Sequence, residues 1–149
     1  MSKRALWTCP ECGQRFVTRN MSHSCGSHTI AEHFTGKPAS IRTVFDALKR
    51  ATREHGAFHV YAQKTRIVFQ TRARFVSVVP RKSHLGGHVW LKRKRPHPAV
   101  HRIEGLAGRD FVHNFRLTSP SDIDDAFRDL LAEAYAVGSQ SYRARGLEG

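Results

Sequence analysis

From Ser40 onward apolar residues recur at spacings of three and four, and Ile41, Val44, Phe45, Leu48 and Ala51 fall on one face of a helix. Pro38 stands ahead of this run, Ser40 offers a capping hydroxyl and Gly56 can end it, so a helix over 40–55 is predicted. After Phe58 the period falls to two. Short runs rich in β-branched and aromatic residues, at 58–63, 66–71, 75–79, 88–93 and 112–117, read as strands. Ile67 and Phe69 share one side of their strand, and Phe111, Phe115 and Leu117 share one side of the last. That alternation is the pattern of an antiparallel sheet with one buried face, the other being rich in Arg, Lys, His and Gln. Gly86 and Gly87, and the stretch 94–98, read as turns or loops. Ser119, Pro120 and Asp122 then supply a cap, a first-turn proline and a first-turn acid for a second helix over 120–137. Its stripe is Ile123, Ala126, Phe127, Leu130, Leu131, Ala134 and Val137.

The first residues lack such a pattern. Between 7 and 25 only Trp7, Phe16, Val17 and Met21 are large and apolar, too few to fold around without a cross-link or metal. Residues 26–39 read as a linker with one helical turn around Ile30 to Phe34. The predicted architecture is α+β: a zinc knuckle and linker over 1–36, a domain over 37–138 with two helices packed on one face of an antiparallel sheet, and a flexible tail over 139–149.

The knuckle reading comes from the cysteines. Three of them cannot all pair within one chain, and Cys9-Pro10-Glu11-Cys12-Gly13 is a C-x-x-C turn that points two thiolates at one centre. Structural zinc takes four tetrahedral N/S ligands; Cys25 is the third, and spacing leaves His23, His28 and His33 open as the fourth. A closed site of this kind holds the fold and leaves no position for substrate.

Charge adds a partner class. The formal net charge is +13, and residues 38–118 carry 17 Lys and Arg against 4 Asp and Glu. Such a field attracts polyanions, with DNA or RNA the leading partner and no sequence preference implied. Lys64, Arg66, Arg72 and Arg74 are spaced to act as phosphate clamps on one sheet face, with Lys92 and Arg93 of the 92–95 run adding to them. Trp90, Tyr61 and His88 are candidates for stacking on an exposed base. Two other readings compete. In a protein-interaction or small-ligand module Trp90, Tyr61 and Phe58 would line a pocket with the arginines pointing away; a metal-independent ribonuclease would use two histidines and a lysine. Enzyme signatures are otherwise lacking: there is no G-x-S-x-G, phosphate-cradling glycine loop or dinucleotide fingerprint, and Asp46, Glu54, Glu104 and Asp110 do not cluster for two-metal chemistry. The N-terminus does not read as a secretion signal and no run is long enough to span a bilayer, so a cytoplasmic protein without membrane contact is expected.

Trp7, Cys9, Pro10, Cys12, Gly13, Phe16 and the triplet His23-Ser24-Cys25 resemble the zinc-knuckle leader of several bacterial proteins of unassigned function. That resemblance implies His23 as the fourth ligand beside Cys9, Cys12 and Cys25. His33-Phe34, Gly36-Lys37, Gln63 to Phe69, Phe75, and His113 with Phe115 and Arg116 resemble the domain of unknown function numbered 5655. This second resemblance implies a compact α+β domain and brings no catalytic residues with it.

Overall fold

The structure is a computed structural model that describes residues 6–8, 15–16, 28–106 and 110–140. Helix α1 spans Ala39–Arg53 and buries Ile41, Val44, Phe45, Leu48 and Ala51, the stripe expected from their spacing. It begins one residue early. Pro38, with φ −60° and ψ 148°, takes the N-cap position, and its carbonyl accepts the Ile41 N–H at 3.0 Å. Ser40 therefore lies inside the first turn, exposed, where its hydroxyl caps nothing. The chain turns out of the helix at Gly56, whose φ of +141° suits glycine and whose missing side chain makes room for the Tyr135 hydroxyl. That hydroxyl donates to the Ala57 carbonyl at 2.6 Å, tying the end of α1 to the second helix.

Two short strands, β1 (Trp7–Thr8) and β2 (Arg15–Phe16), pair antiparallel. The main sheet comprises β3 (His59–Ala62), β4 (Ile67–Gln70), β5 (Arg74–Pro80), β6 (Leu85–Leu91), β7 (Val100–Leu106) and β8 (Asp110–Leu117). Its order is β3-β4-β5-β6-β8-β7, with every neighbouring pair antiparallel. Because β8 sits between β6 and β7, the chain must cross from one to the other over residues 92–99. It does so on the helix side, where the Arg95 N–H donates to His113 Nε2 at 2.8 Å.

Two expectations fail in this sheet for steric reasons. Gly86 and Gly87 are not a turn but lie within β6, opposite Arg116 and Phe115 of β8. A Cβ at Gly87 would come within 2.5 Å of the Phe115 ring and of the Ser77 carbonyl, so glycine here admits a phenylalanine to the core. Strand β7 was absent from the expected set. It is an edge strand, its register shifts between Val100 and Arg102, and the extra residue breaks the alternation by which a strand is recognised.

Helix α2 covers Asp125–Gly138 and is capped by Asp124, whose carboxylate accepts the Phe127 N–H at 2.9 Å. The Ser119 and Asp122 capping box serves a separate 3-10 turn, Pro120–Asp122, just upstream. Phe127, Leu130, Leu131 and Ala134 are buried, while Ala126, about 100° around the helix from Phe127, is exposed. Both helices pack on the face bearing Ile67, Phe69, Val76, Val78, Leu85, Val89, Leu91, Phe115 and Leu117. Truncating any of the fully buried rings Phe45, Phe69, Phe115 or Phe127 to alanine would cost about 3–5 kcal/mol. Ile30 and Phe34 also pack against this core, Phe34 edge-on to Phe45 at 5.2 Å, so the folded unit begins ahead of α1. Among the described residues no helix is long and apolar enough to cross a membrane.

Candidate functional site

Cross-strand partners project to the same side of a sheet. Opposite the helices, the register therefore lays out rows running across several strands. Val68, Ser77, His88, Asn114 and Arg102 form one row; Val79, Gly86 and Arg116 form the next; Trp90, Val112 and Glu104 form a third. Arg66, two residues before Val68, shares this side at the start of β4, and its charge reaches His88. Three arginines from β4, β7 and β8, two of them far from the first in sequence, thus meet on one face with Trp90 and His88 beside them.

The polar groups on this face hold one another in place. His88 Nδ1 lies 3.4 Å from the Ser77 hydroxyl, and its ring stands 6.4 Å from that of Trp90. The Asn114 amide donates to Glu104 at 3.1 Å, and Arg102 pairs with the same carboxylate at 3.3 Å. A cleft of about 370 Å³ opens between the Arg81–His84 turn and the edge strand, lined by Arg81, His84, Gly86, His88, His101 and Arg116 among others. Burial lowers the proton affinity of His84 below the ordinary histidine value, and the charges of Arg116, Arg81 and His101 lower it further. His88 is lowered too, by burial first and then by Arg66, with Glu104 and the Asn114 hydrogen bond opposing and His101 assisting. Both rings thus favour the neutral form and can accept a proton if an anion arrives.

At the other end of the face the sheet is covered. Val68, Gln70 and Ser77 are buried, and Gln70 accepts from the Tyr61 hydroxyl at 2.6 Å while its amide donates to the Arg15 carbonyl of β2. The β1–β2 pair thereby rests on β3 and β4. A larger cleft of about 570 Å³ lies beside it, lined by Arg15, Phe58, His59, Arg72 and Tyr135.

The expected clamp residues are scattered by the fold. Lys64 and Arg66 precede β4; beyond its far end Arg72 donates to Gln140 at 2.8 Å, and Arg74, at the start of β5, opposes Gln70 and shares its side. Trp90 is on the face opposite the helices. Arg93 belongs to the crossover on the helix side, whereas Lys92, two residues past Trp90, keeps the side of Trp90 and Val112. Lys92 pairs with Asp110 at 2.5 Å, and Arg93 grips Glu133 of α2 through two bonds of 3.0 and 2.9 Å, joined there by Arg95. Burial raises the proton affinity of Glu133, but the hydrogen bonds from Arg93 and Arg95 outweigh it and keep the carboxylate ionised. Phe58 turns to the core, 4.9 Å from Phe69, and so shares no pocket with Trp90. Arg102 and Arg116 were not among the expected binders. Arg102 lies on the unrecognised edge strand, whereas Arg116 could have been found from its even spacing to Asn114.

Cys9, Cys12, His23 and Cys25 lie outside the described residues. Of the other candidate ligands, His28 stands 3.5 Å from Glu32, and His33 Nε2 donates to the Gln63 carbonyl at 2.8 Å. Among the described residues no three His, Cys, Asp or Glu side chains are grouped to hold a metal. A family model described as a domain of unknown function (DUF5655) matches residues 30–138. No curated protein and no solved structure matches the chain.

Proposed function

We propose that this chain, which belongs to the DUF5655 family, binds nucleic acid without strong sequence preference across the sheet face opposite its two helices. The observation that carries the reading is the shared side of Arg66, Arg102 and Arg116 with Trp90 and His88, while both helices take the other side. Guanidiniums on a rigid sheet contact phosphates, and each contact releases counterions; a tryptophan and a histidine beside them supply flat faces for unpaired bases. A small-ligand reading would need Phe58 in a common pocket with Trp90, and Phe58 faces the core instead. The reading is tested by fluorescence anisotropy with labelled single- and double-stranded DNA and RNA at low salt. Binding with weak sequence preference is expected, and no binding to any of the four would overturn the proposal.

A structural zinc ion held by Cys9, Cys12, His23 and Cys25 completes the proposal. Its support is the C-x-x-C-G spacing together with the antiparallel pairing of β1 and β2, which bracket that segment in the manner of a knuckle. Purified protein should hold about one zinc per chain, as one closed site requires. Cys9→Ser and Cys12→Ser should each lose it; full metal content in both would refute the assignment.

A further inference from the structure

The cleft at Gly86 has features that a diffuse basic surface lacks. Its cationic and imidazole groups come from separate elements: Arg81 and His84 from the β5–β6 turn, His88 from β6, His101 from β7 and Arg116 from β8. Among the described residues no carboxylate lines it, and the nearby Glu104 is held by Arg102 and Asn114. Its floor is a glycine that no packing demand explains. A Cβ at Gly86 would meet only the His84 ring at 3.6 Å and the Val79 carbonyl at 3.7 Å, ordinary contacts, unlike the prohibitive ones at Gly87. A side chain at position 86 would fit the fold and fill the cleft.

The geometry points to a discrete phosphate-binding subsite in this cleft, in which Arg81 and Arg116 supply fixed charge and His84 and His88 take up protons as the anion enters. The inference deepens the reading of the face as a polyanion surface and rests on it: one phosphate is seated, while Arg66 and Arg102 engage its neighbours along the strand. Two guanidiniums hold an anion at any pH. The histidines are neutral beforehand because they are partly buried among arginines, so an anion that cancels those charges restores their affinity for protons. Everything charged or titratable around them enters the balance: Arg81, Arg116 and His101 for His84; Arg66, Glu104 and His101 for His88. By linkage, each pKa unit gained on binding makes binding about tenfold tighter as pH falls through that range.

The source of the phosphate can be a strand end, an internal diester or the free ion, and the experiment separates them. The ring signals of His84 and His88 are followed by NMR against pH in the full chain, alone and with inorganic phosphate, a 5′-phosphorylated pentathymidylate, or the same oligonucleotide ending in hydroxyl. An upward movement of both titrations by about one unit or more is expected with at least one of the three. Movement with the phosphorylated strand alone assigns a terminal monoester, movement with both strands an internal diester, and movement with the free ion alone a site for phosphate itself. Gly86→Val should abolish the movement while oligonucleotide affinity changes only a few-fold, and Arg116→Gln should abolish it too. If the oligonucleotide binds at saturation and neither histidine titration moves with any of the three probes, the subsite is overturned and the reading of the face stands. If phosphate moves both titrations but no nucleic acid binds, the subsite stands and the reading of the face falls.

Discussion

The two basic clusters of this molecule differ in a way the sequence hides. Lys92, Arg93, Lys94 and Arg95 are the densest charge in the chain, yet the crossover between β6 and β7 carries the last three to the helix side. There Arg93 and Arg95 meet Glu133 and Lys94 lies over the Phe111 ring, whereas Lys92 pairs with Asp110 on the side of Trp90. Arg66, Arg102 and Arg116 are dispersed along the chain and come together only because β4, β7 and β8 lie in one sheet. Charge density in a sequence measures the number of cations, whereas the field a partner feels depends on where the fold places them and which acids answer them, as Glu133 answers Arg93 and Arg95 and Glu104 answers Arg102.

The strongest way to break the contrast is charge reversal. Arg66→Glu, Arg102→Glu and Arg116→Glu together should weaken single-strand binding at low salt by about a hundredfold or more, since contacts become repulsions. Loss of secondary structure by circular dichroism in this variant would mean that the arginines hold the fold. Removing the acid on the other side should instead be a stability event. Glu133→Gln leaves Arg93 and Arg95 without their carboxylate and should cost about 1–2 kcal/mol in urea unfolding, with binding unchanged or slightly stronger.

A pH effect sharpens the same comparison. His113 is fully buried beneath the crossover, its Nδ1–H donating to the Phe111 carbonyl and its Nε2 accepting from the Arg95 N–H. Burial lowers its proton affinity below the ordinary 6.5, against the opposing pull of the Phe111 hydrogen bond and Glu133. The unfolded chain then binds more protons than the folded one as pH drops below that value, so stability is full above it and declines toward the folded-state pKa. His84 and His88 act in the same direction. Urea midpoints should therefore fall between pH 7.5 and pH 5, to a degree lessened in His113→Phe; a midpoint that rises on acidification would contradict this. The smallest effect should come from Trp90→Ala, a loss of about fivefold for single strands and none for duplex, as stacking on one base would give.

Much of the hidden face was legible, and the opposite one much less so. The stripe of α1, the buried alternation of β4 and the last strand, and the placement of two helices on one side followed from periodicity, because burial writes a regular apolar signal. Gly86 and Gly87 misled because glycine in a strand need not mark a turn: Gly87 makes room for the Phe115 ring, and Gly86 floors the cleft beside Arg116. Strand β7 was missed because an edge strand with a register shift buries too little to show a period. With it went Arg102 and the convergence of Arg66, Arg102 and Arg116. Which acid answers which base, as at Glu133, depends on contacts between residues some forty positions apart and leaves no local trace.

The most direct measurement is the salt dependence of single-strand binding for three proteins: the natural chain, Arg66→Gln/Arg102→Gln/Arg116→Gln, and Arg93→Gln/Lys94→Gln/Arg95→Gln. Each phosphate contact contributes about 0.7 to the slope of log affinity against log salt. The open-face variant should therefore lose about 2 from that slope, and the crossover variant should keep its slope while unfolding at lower urea. A slope that drops for the crossover variant and persists for the open-face variant would contradict the account.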